Sequence, residues 1–485
     1  MAATVIDPLV AGVPAPSSDR QLLTDVFGAA LADVGVAPRL GAQLALDRLR
    51  AAADGLRPAA RIFPEAARLF ATAELDGEDP EAYVDRVVRS SGLPARTVRL
   101  AVTDLVAEIE ALDRTVAAEL PPPLPSATHR VEWVPGGRVF AAVMAGNHPL
   151  PHVSWVHALL VGYSVLVRPG SRDPFTPRRL VAALLAAGLP PHKLAHLPCD
   201  HRAAAFLLDS ADRGIVFGGD QAVASWRDAR HVATRGPGRS RALLDTAPTP
   251  ELLDHLATAV GYDGGTRCTN LSAVLTTAPV ARVADELAAR LARLPVLPAT
   301  DPEATLLVVG RERAEAMRRH VATLADGLTD HSTPHYDGDF VVDLGDGSFL
   351  LRPLVLSADR ADHPAVGTEL GFPFVVVAPW SADRDAGALG PALVLNLLTD
   401  DDALVSRAVR DPRIRKVTVG TALPWDLVPG LPHDGSLTQF LLEPKGVVVP
   451  GAVVTGTDVP GADVPGADVP GADVPGADVP GADGR

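Results

Sequence analysis

Hydrophobic positions along the chain change their spacing near residue 126. Between 20 and 118 they recur at helical intervals: Leu22 and Leu23 through Leu31, Leu40 through Leu49, and Val98, Val102, Leu105, Ile109, Leu112 and Val116 within 97–120. Residues three and four apart share one face of an α-helix, so this spacing predicts a helical N-terminal region over 1–125. The run Pro121-Pro122-Pro123-Leu124-Pro125 removes backbone donors, stiffens the connection and marks a boundary. From Val131 onward, short β-branched runs alternate with helical segments. Strands are predicted over 138–144, 164–167, 194–197 and 214–217, with helices over 154–160, 177–187 and 201–210 between them. Such alternation needs crossover connections and therefore a parallel sheet. A second α/β stretch over 246–425 contains a helix at 251–260, a strand at 271–276, a helix at 280–294 and strands at 305–309, 340–343, 374–378 and 416–419. A returning segment over 426–455 offers a further strand at 437–449, a device suited to subunit contact.

Composition narrows the function classes. The 485 residues are 47% hydrophobic and 21% charged, enough for a sizeable core divided among two or three domains. A net charge of −15 argues against a nucleic-acid-binding face, which needs a basic surface. The two cysteines, Cys199 and Cys268, lie far apart without metal-ligand spacing, so neither a disulfide framework nor a metal site is expected. Residues 1–20 lack a basic segment followed by an apolar run, and no apolar stretch is long enough to span a bilayer, so a cytoplasmic protein is expected.

Candidate chemistry centres on Gly261-Tyr262-Asp263-Gly264-Gly265-Thr266-Arg267-Cys268-Thr269-Asn270. A cysteine behind two glycines and before small polar residues can present both its sulfur and its backbone N–H to a ligand. A free cysteine also suits a buried packing position, so the loop alone leaves both readings open. Other candidates fall where predicted strands end: Asn147 after the first, Arg168-Pro169-Gly170-Ser171 after the second, and Phe217-Gly218-Gly219 before a helix. In open parallel sheets, ligands gather at such carboxyl ends. Farther along come Arg235-Gly236-Pro237-Gly238-Arg239-Ser240 and Gly367-Thr368-Glu369-Leu370-Gly371-Phe372-Pro373. His148, His152 and His157 share no spacing with an acidic ligand and read as structural histidines.

In their order and spacing these motifs resemble the aldehyde dehydrogenase superfamily over about residues 126–425. The resemblance implies a Rossmann-type cofactor domain over 126–245, an α/β catalytic domain over 246–425, and a small oligomerisation element that makes homodimers or homotetramers through 437–449 and the Arg130 to Val134 segment. It also implies roles: Cys268 attacks a carbonyl, and Asn147 with the Cys268 N–H receives the developing oxyanion. Arg168, in place of the usual lysine, and Ser171 stand beside the adenosine ribose. Phe217, Gly218 and Gly219 pass the cofactor's phosphates or nicotinamide, and Glu369 holds the nicotinamide ribose. Arg168 and Arg172 favour NADPH, with NAD(H) the alternative, because a 2′-phosphate calls for a cation.

One departure matters. Hydrolytic members of the superfamily carry a glutamate before the cysteine that activates water, whereas His231-Val232-Ala233-Thr234-Arg235-Gly236-Pro237-Gly238-Arg239-Ser240 holds no carboxylate. Together with Arg168-Pro169-Gly170-Ser171-Arg172-Asp173-Pro174-Phe175, this is similar to the acyl-thioester reductase branch, such as the fatty-acyl-CoA reductases of bacterial bioluminescence. That branch implies an acyl-CoA or acyl-carrier-protein substrate reduced to an aldehyde. Aldehyde oxidation, with Asp263 or another carboxylate as base, and a catalytically silent scaffold are the alternatives. The tail over 456–485 repeats Val-Pro-Gly-Ala-Asp from Val459 to Asp483, with only valine for burial, and is expected to be disordered. Deleting residues 456–485 is expected to leave activity and assembly unchanged, as checked by turnover and size-exclusion chromatography.

Overall fold

The computed structural model describes residues 3–449, so the repeat tail lies outside the described residues. Two seven-stranded sheets dominate. In the first, five parallel strands run in the order Val232–Arg235, Arg213–Phe217, Val139–Val143, Ser164–Arg168, Leu194–His196. The earliest strand in sequence of these five, Val139–Val143, is central and flanked by later ones on both sides. That is a doubly wound arrangement, with its switch point between Val139–Val143 and Arg213–Phe217. Asn147 follows one of these two strands and Phe217-Gly218-Gly219 ends the other. The helices Val153–Leu160, Phe175–Ala186 and His201–Ser210 make the crossovers.

The second sheet runs Leu328–Asp330, Leu354–Ala358, Phe374–Pro379, Leu271–Thr276, Ser240–Leu244, Ala392–Leu398, Ile414–Val419, with only the first strand antiparallel. Ser240–Leu244 already belongs here, so the chain changes sheets at 236–239 and not at 245, the boundary expected from sequence. This places the carboxyl ends of the first sheet's strands opposite the amino ends of the second's. The cysteine loop, which precedes Leu271–Thr276, hangs in the cleft between them.

The N-terminal expectation needs correction. Residues before 36 form strands, not helix: Thr4–Ile6, Leu9–Val10, Val13–Pro14, Arg20–Thr24 and Ala30–Gly35. The predicted helix across Leu22 to Leu31 fails because Asp25 closes a tight turn. Its carboxylate accepts the N–H groups of Phe27 (3.1 Å) and Ala29 (2.8 Å), and Gly28 takes φ 87°. Helices begin at Arg39–Ala52 and culminate in Ala95–Glu119, which buries Val98, Leu105, Ile109, Leu112 and Val116 along one stripe.

The returning segment also differs from expectation in its first part. Leu437–Leu441 is a helical turn, and only Leu442–Val448 is a strand. It pairs antiparallel with His129–Pro135, from Leu442 opposite Pro135 to Val448 opposite His129. Val131 and Val448 leave apolar surface exposed on this ribbon. Among the described residues no helix is long and apolar enough to cross a membrane.

Four histidines are buried in the first domain: His148, His152, His157 and His196. Trp155 Nε1–H donates to His152 Nδ1 at 2.9 Å, which fixes the neutral ring with its proton on Nε2. Withdrawal from water pushes His152 and His196 down to about 3 and His157 to about 4. The unfolded chain protonates these rings below its ordinary value near 6.5, while the folded chain resists. Stability is therefore full above that value and lost as pH falls toward 4 and 3, at up to about 1.4 kcal/mol per pH unit per histidine. Urea midpoints are expected to fall steeply between pH 7.5 and 5, and His152→Gln should flatten that dependence.

Candidate active site

The cysteine loop is shaped by backbone that few sequences accept. After the helix Pro250–Gly261, Asp263, Gly264 and Gly265 take φ values of 50°, 66° and 68°. Side chains disfavour this region, and two of the three residues are glycine for that reason. Gly265 has a second constraint: a Cβ there would lie 2.3 Å from the Pro373 nitrogen, so only glycine lets the loop close on Gly371-Phe372-Pro373. Asn270 ties the ends together. Its Oδ1 accepts the Arg267 N–H (2.8 Å), and its Nδ2 donates to the carbonyls of Ala259 (3.1 Å) and Tyr262 (3.0 Å).

Charge locks the loop from beneath. Arg267 Nε binds Asp263, its NH2 donates to Asp104 at 2.8 Å, and its guanidinium lies over the Tyr262 ring, which stacks on Trp425 at 3.9 Å. His148 Nε2 stands 3.7 Å from the Asp263 carboxylate. Asp263 is thus buried and committed, which removes the carboxylate considered from sequence as a substitute base.

Cys268 itself is exposed at the cleft. Protein nevertheless crowds its sulfur closely enough that desolvation, followed by the Glu369 and Asp434 carboxylates, pushes the thiol up to about 12. The two facts describe different things: open surface decides that a carbonyl can reach the sulfur, and the surround decides that the resting group is a thiol. From the second sheet, Ser240 Oγ–H donates to the Cys268 carbonyl at 2.8 Å. The register shifts between Ser240 and Arg241, and a bulge there re-aims Ser240 toward the loop.

Of the residues singled out in the sequence, Asn147 meets the cysteine loop and Glu369 meets the crossover packed on it. Asn147 Nδ2 donates to the Thr266 carbonyl at 3.4 Å, which sets the amide beside the cysteine loop. The turns after the first two strands touch, since a Cβ on Gly170 would lie 2.2 Å from the Gly146 nitrogen. Arg168 is buried, donates from Nε to the Cys199 carbonyl at 3.2 Å, and lines a small cavity with Ser171, Gln21, Leu23 and Val34. The N-terminal strands misread as helix therefore wall this cavity. Burial pushes Arg168 and Arg172 down, and among the described residues neither pairs with a carboxylate. Phe217 ends its strand, and Gly218 N–H donates to the Arg235 carbonyl at 3.1 Å. A side chain on Gly219 would meet open space.

Glu369 is half-buried. Its Oε2 accepts the Arg239 N–H at 2.7 Å, and burial pushes its carboxyl up to about 7 against the opposing pull of the Arg239 and Gly238 backbone. Sequence reasoning missed Ser240 as a support for Cys268, and missed Asp434 altogether. Asp434 lies 3.4 Å from Arg235 and 3.6 Å from Arg415, which joins the returning segment to both sheets. Its Pro- and Gly-rich surroundings carry no periodicity that could have placed it. Among the described residues no group of three or more His, Cys, Asp or Glu side chains is placed to hold a metal.

The Gly236-Pro237-Gly238 crossover passes directly against the cysteine. A Cβ on Gly238 would lie 2.0 Å from the Cys268 carbonyl oxygen and 3.1 Å from its Cβ.

A profile of the Aldehyde dehydrogenase family matches residues 48–390. Among similar solved structures, an indole-3-acetaldehyde dehydrogenase in complex with NAD+ shares 17% identity, with 92% of this chain and 96% of that chain covered at a TM-score of 0.78. A gamma-glutamyl-gamma-aminobutyraldehyde dehydrogenase from Burkholderia cenocepacia shares 18%, covering 92% and 96% at 0.76. A 3,6-anhydro-L-galactose dehydrogenase in complex with NADP shares 18%, covering 92% and 100% at 0.76. At these identities the likeness establishes the fold alone. No curated protein sequence matches.

Gly238→Ala is expected to displace the Cys268 backbone and lower turnover by about 100-fold or more, the usual consequence of an ångström-scale shift of a reacting group. Steady-state kinetics beside an unchanged circular dichroism spectrum would check it.

Proposed function

Because the chain belongs to the aldehyde dehydrogenase family, whose members are oxidoreductases acting on aldehydes with NAD(P), we propose that it reduces an acyl thioester, carried on CoA or a carrier protein, to the aldehyde. One observation carries this direction. The stretch 231–240 places no carboxylate beside Cys268, and Arg235 within it is engaged by Asp434. A positioned base contributes on the order of 100- to 10,000-fold to a proton transfer, so an acyl group on Cys268 passes poorly to water. Exchange with a thiol needs no water activation.

The residues present suit a phosphate-bearing dinucleotide. Among the described residues Arg168 and Arg172 lack carboxylate partners, and Gly219 opens on free space where Phe217–Gly219 meet a helix. Arg168, Ser171, Phe217, Gly218, Gly219 and Glu369 would hold the cofactor, and the two arginines favour NADPH through its 2′-phosphate. The bound nicotinamide supplies the hydride.

Cys268 Sγ adds to the thioester carbonyl, and the Asn147 amide and the Cys268 N–H receive the charge that develops on oxygen. Collapse expels the carrier thiol and leaves the acyl group on Cys268. After reduction, the hemithioacetal breaks its C–S bond, frees the aldehyde and returns the cysteine. Aldehyde oxidation runs through the same residues in reverse, with a thiol as the preferred acceptor. The exposed ribbon of His129–Pro135 and Leu442–Val448 supports assembly of a homodimer or homotetramer.

Acyl-CoA and NADPH incubated with the enzyme should lose NADPH absorbance, Cys268→Ala should abolish this, and Asn147→Ala should reduce kcat about 100- to 1,000-fold. Inactivity across chain lengths, with robust oxidation of free aldehydes to acids, would reverse the assignment.

A further inference from the structure

We propose that Glu369 takes the proton of the Cys268 thiol and returns it to the departing thiol, a second use for a carboxylate that the family resemblance assigns to the cofactor ribose. The proposal deepens the acyl-transfer reading above and rests on it, but its test does not.

Elimination carries the argument. Attack by Cys268 requires a base, because its surroundings keep the resting group protonated. Two carboxylates bear most on the sulfur, Glu369 and Asp434. Asp434 is held between Arg235 at 3.4 Å and Arg415 at 3.6 Å, and charge pairing of this kind weakens a carboxylate as a proton acceptor. Asp263, the nearest acid in sequence, is buried against Arg267. Among the described residues Glu369 has no side-chain cation in contact. It is held by backbone donors alone, Arg239 N–H to Oε2 at 2.7 Å and the adjacent Gly238 N–H.

Its placement follows from the crossover. Arg239 succeeds Gly238, which lies against the Cys268 backbone and Cβ, so the donor that orients Glu369 is one residue from the contact that positions the sulfur. Cys268 is exposed, and a general base acts on such a group by direct contact or through one water. The groups that set the affinity of Glu369 for a proton are its burial, the Gly238 and Arg239 N–H groups, the Arg239 guanidinium and Asp220, and together they hold it near neutrality. A base with that affinity is half available at pH 7 and stays strong enough to accept.

The step balances without another reactant. The S–H bond breaks and its proton passes to Glu369 as the sulfur electron pair forms a bond to the thioester carbon. The carbonyl π pair moves to oxygen. On collapse that pair re-forms the carbonyl, the bond to the carrier sulfur breaks, and the proton on Glu369 goes to the leaving thiolate. Acyl transfer and hydride transfer use Glu369 in turn, so a ribose seated on it withdraws the base at the stage when water would compete.

Alkylation by iodoacetamide, with the modified cysteine located by peptide mass, tests this without thioester or nicotinamide. Cys199, the other cysteine, is buried. In the unaltered enzyme the rate should rise with a midpoint near 7, well below the thiol's own value near 12. Glu369→Gln should slow alkylation at pH 7.5 about 100-fold, and Glu369→Asp should recover part of the loss.

A merely electrostatic neighbour gives the opposite sign. Removing its negative charge would ease thiol ionisation, so Glu369→Gln reacting as fast or faster than the parent overturns the proposal. If Glu369→Gln fails to fold, the parent's pH profile decides, since a midpoint above 9 has the same consequence. Glu369-dependent alkylation in an enzyme that never acts on thioesters would sink the functional reading and leave the proton acceptor standing.

Discussion

The contact between Gly238 and the backbone of Cys268 is the constraint on which the rest of the site depends. It is where the chain, leaving the first sheet at Arg235, presses against the loop that begins a central strand of the second. No side chain fits between them. Ser240 then hydrogen-bonds the same cysteine carbonyl, and Arg239 orients Glu369. One short crossover thus sets the sulfur, its backbone support and its neighbouring carboxylate, and a shift in it would move all three together.

Electrostatics divides the acidic groups around the loop by use. Asp263 and Asp104 are tied to Arg267 and serve to hold the loop's left-handed turn closed. Asp434 is tied to Arg235 and Arg415 and fastens the returning segment over the cleft. Among the described residues Glu369 alone of these lacks a cationic side chain in contact, and burial rather than pairing governs its proton. Pairing lowers a carboxyl's affinity for protons and burial raises it, so structural and proton-accepting carboxylates separate by environment.

The cavity beside Arg168 shows how an unexpected element completes a wall. Arg168 emerges from a strand whose carboxyl end the sequence already marked as a binding position. The wall opposite it comes from Gln21, Leu23 and Val34, on strands read as helix. Leu22, Leu23 and Leu31 satisfy a helical interval by coincidence. What breaks the helix is Asp25 and Gly28, whose turn is stabilised by backbone donors and by an ion pair to Arg89 from a distant helix.

The sequence by itself determined the alternation of strands and helices after residue 126, the order of the motifs and the cysteine loop, because these rest on local periodicity and on glycine's freedom of backbone. The strand Leu271–Thr276 and the ends of Val139–Val143 and Arg213–Phe217 needed nothing more. Tertiary structure decided which sheet Ser240–Leu244 joins, what wall faces Arg168, and that Asp434 reaches Arg235 from a segment far along the chain. It also decided which carboxylate near Cys268 is uncommitted. Those outcomes depend on partners distant in sequence, and a side chain's charge state and proton affinity are properties of its neighbours, which no local pattern records.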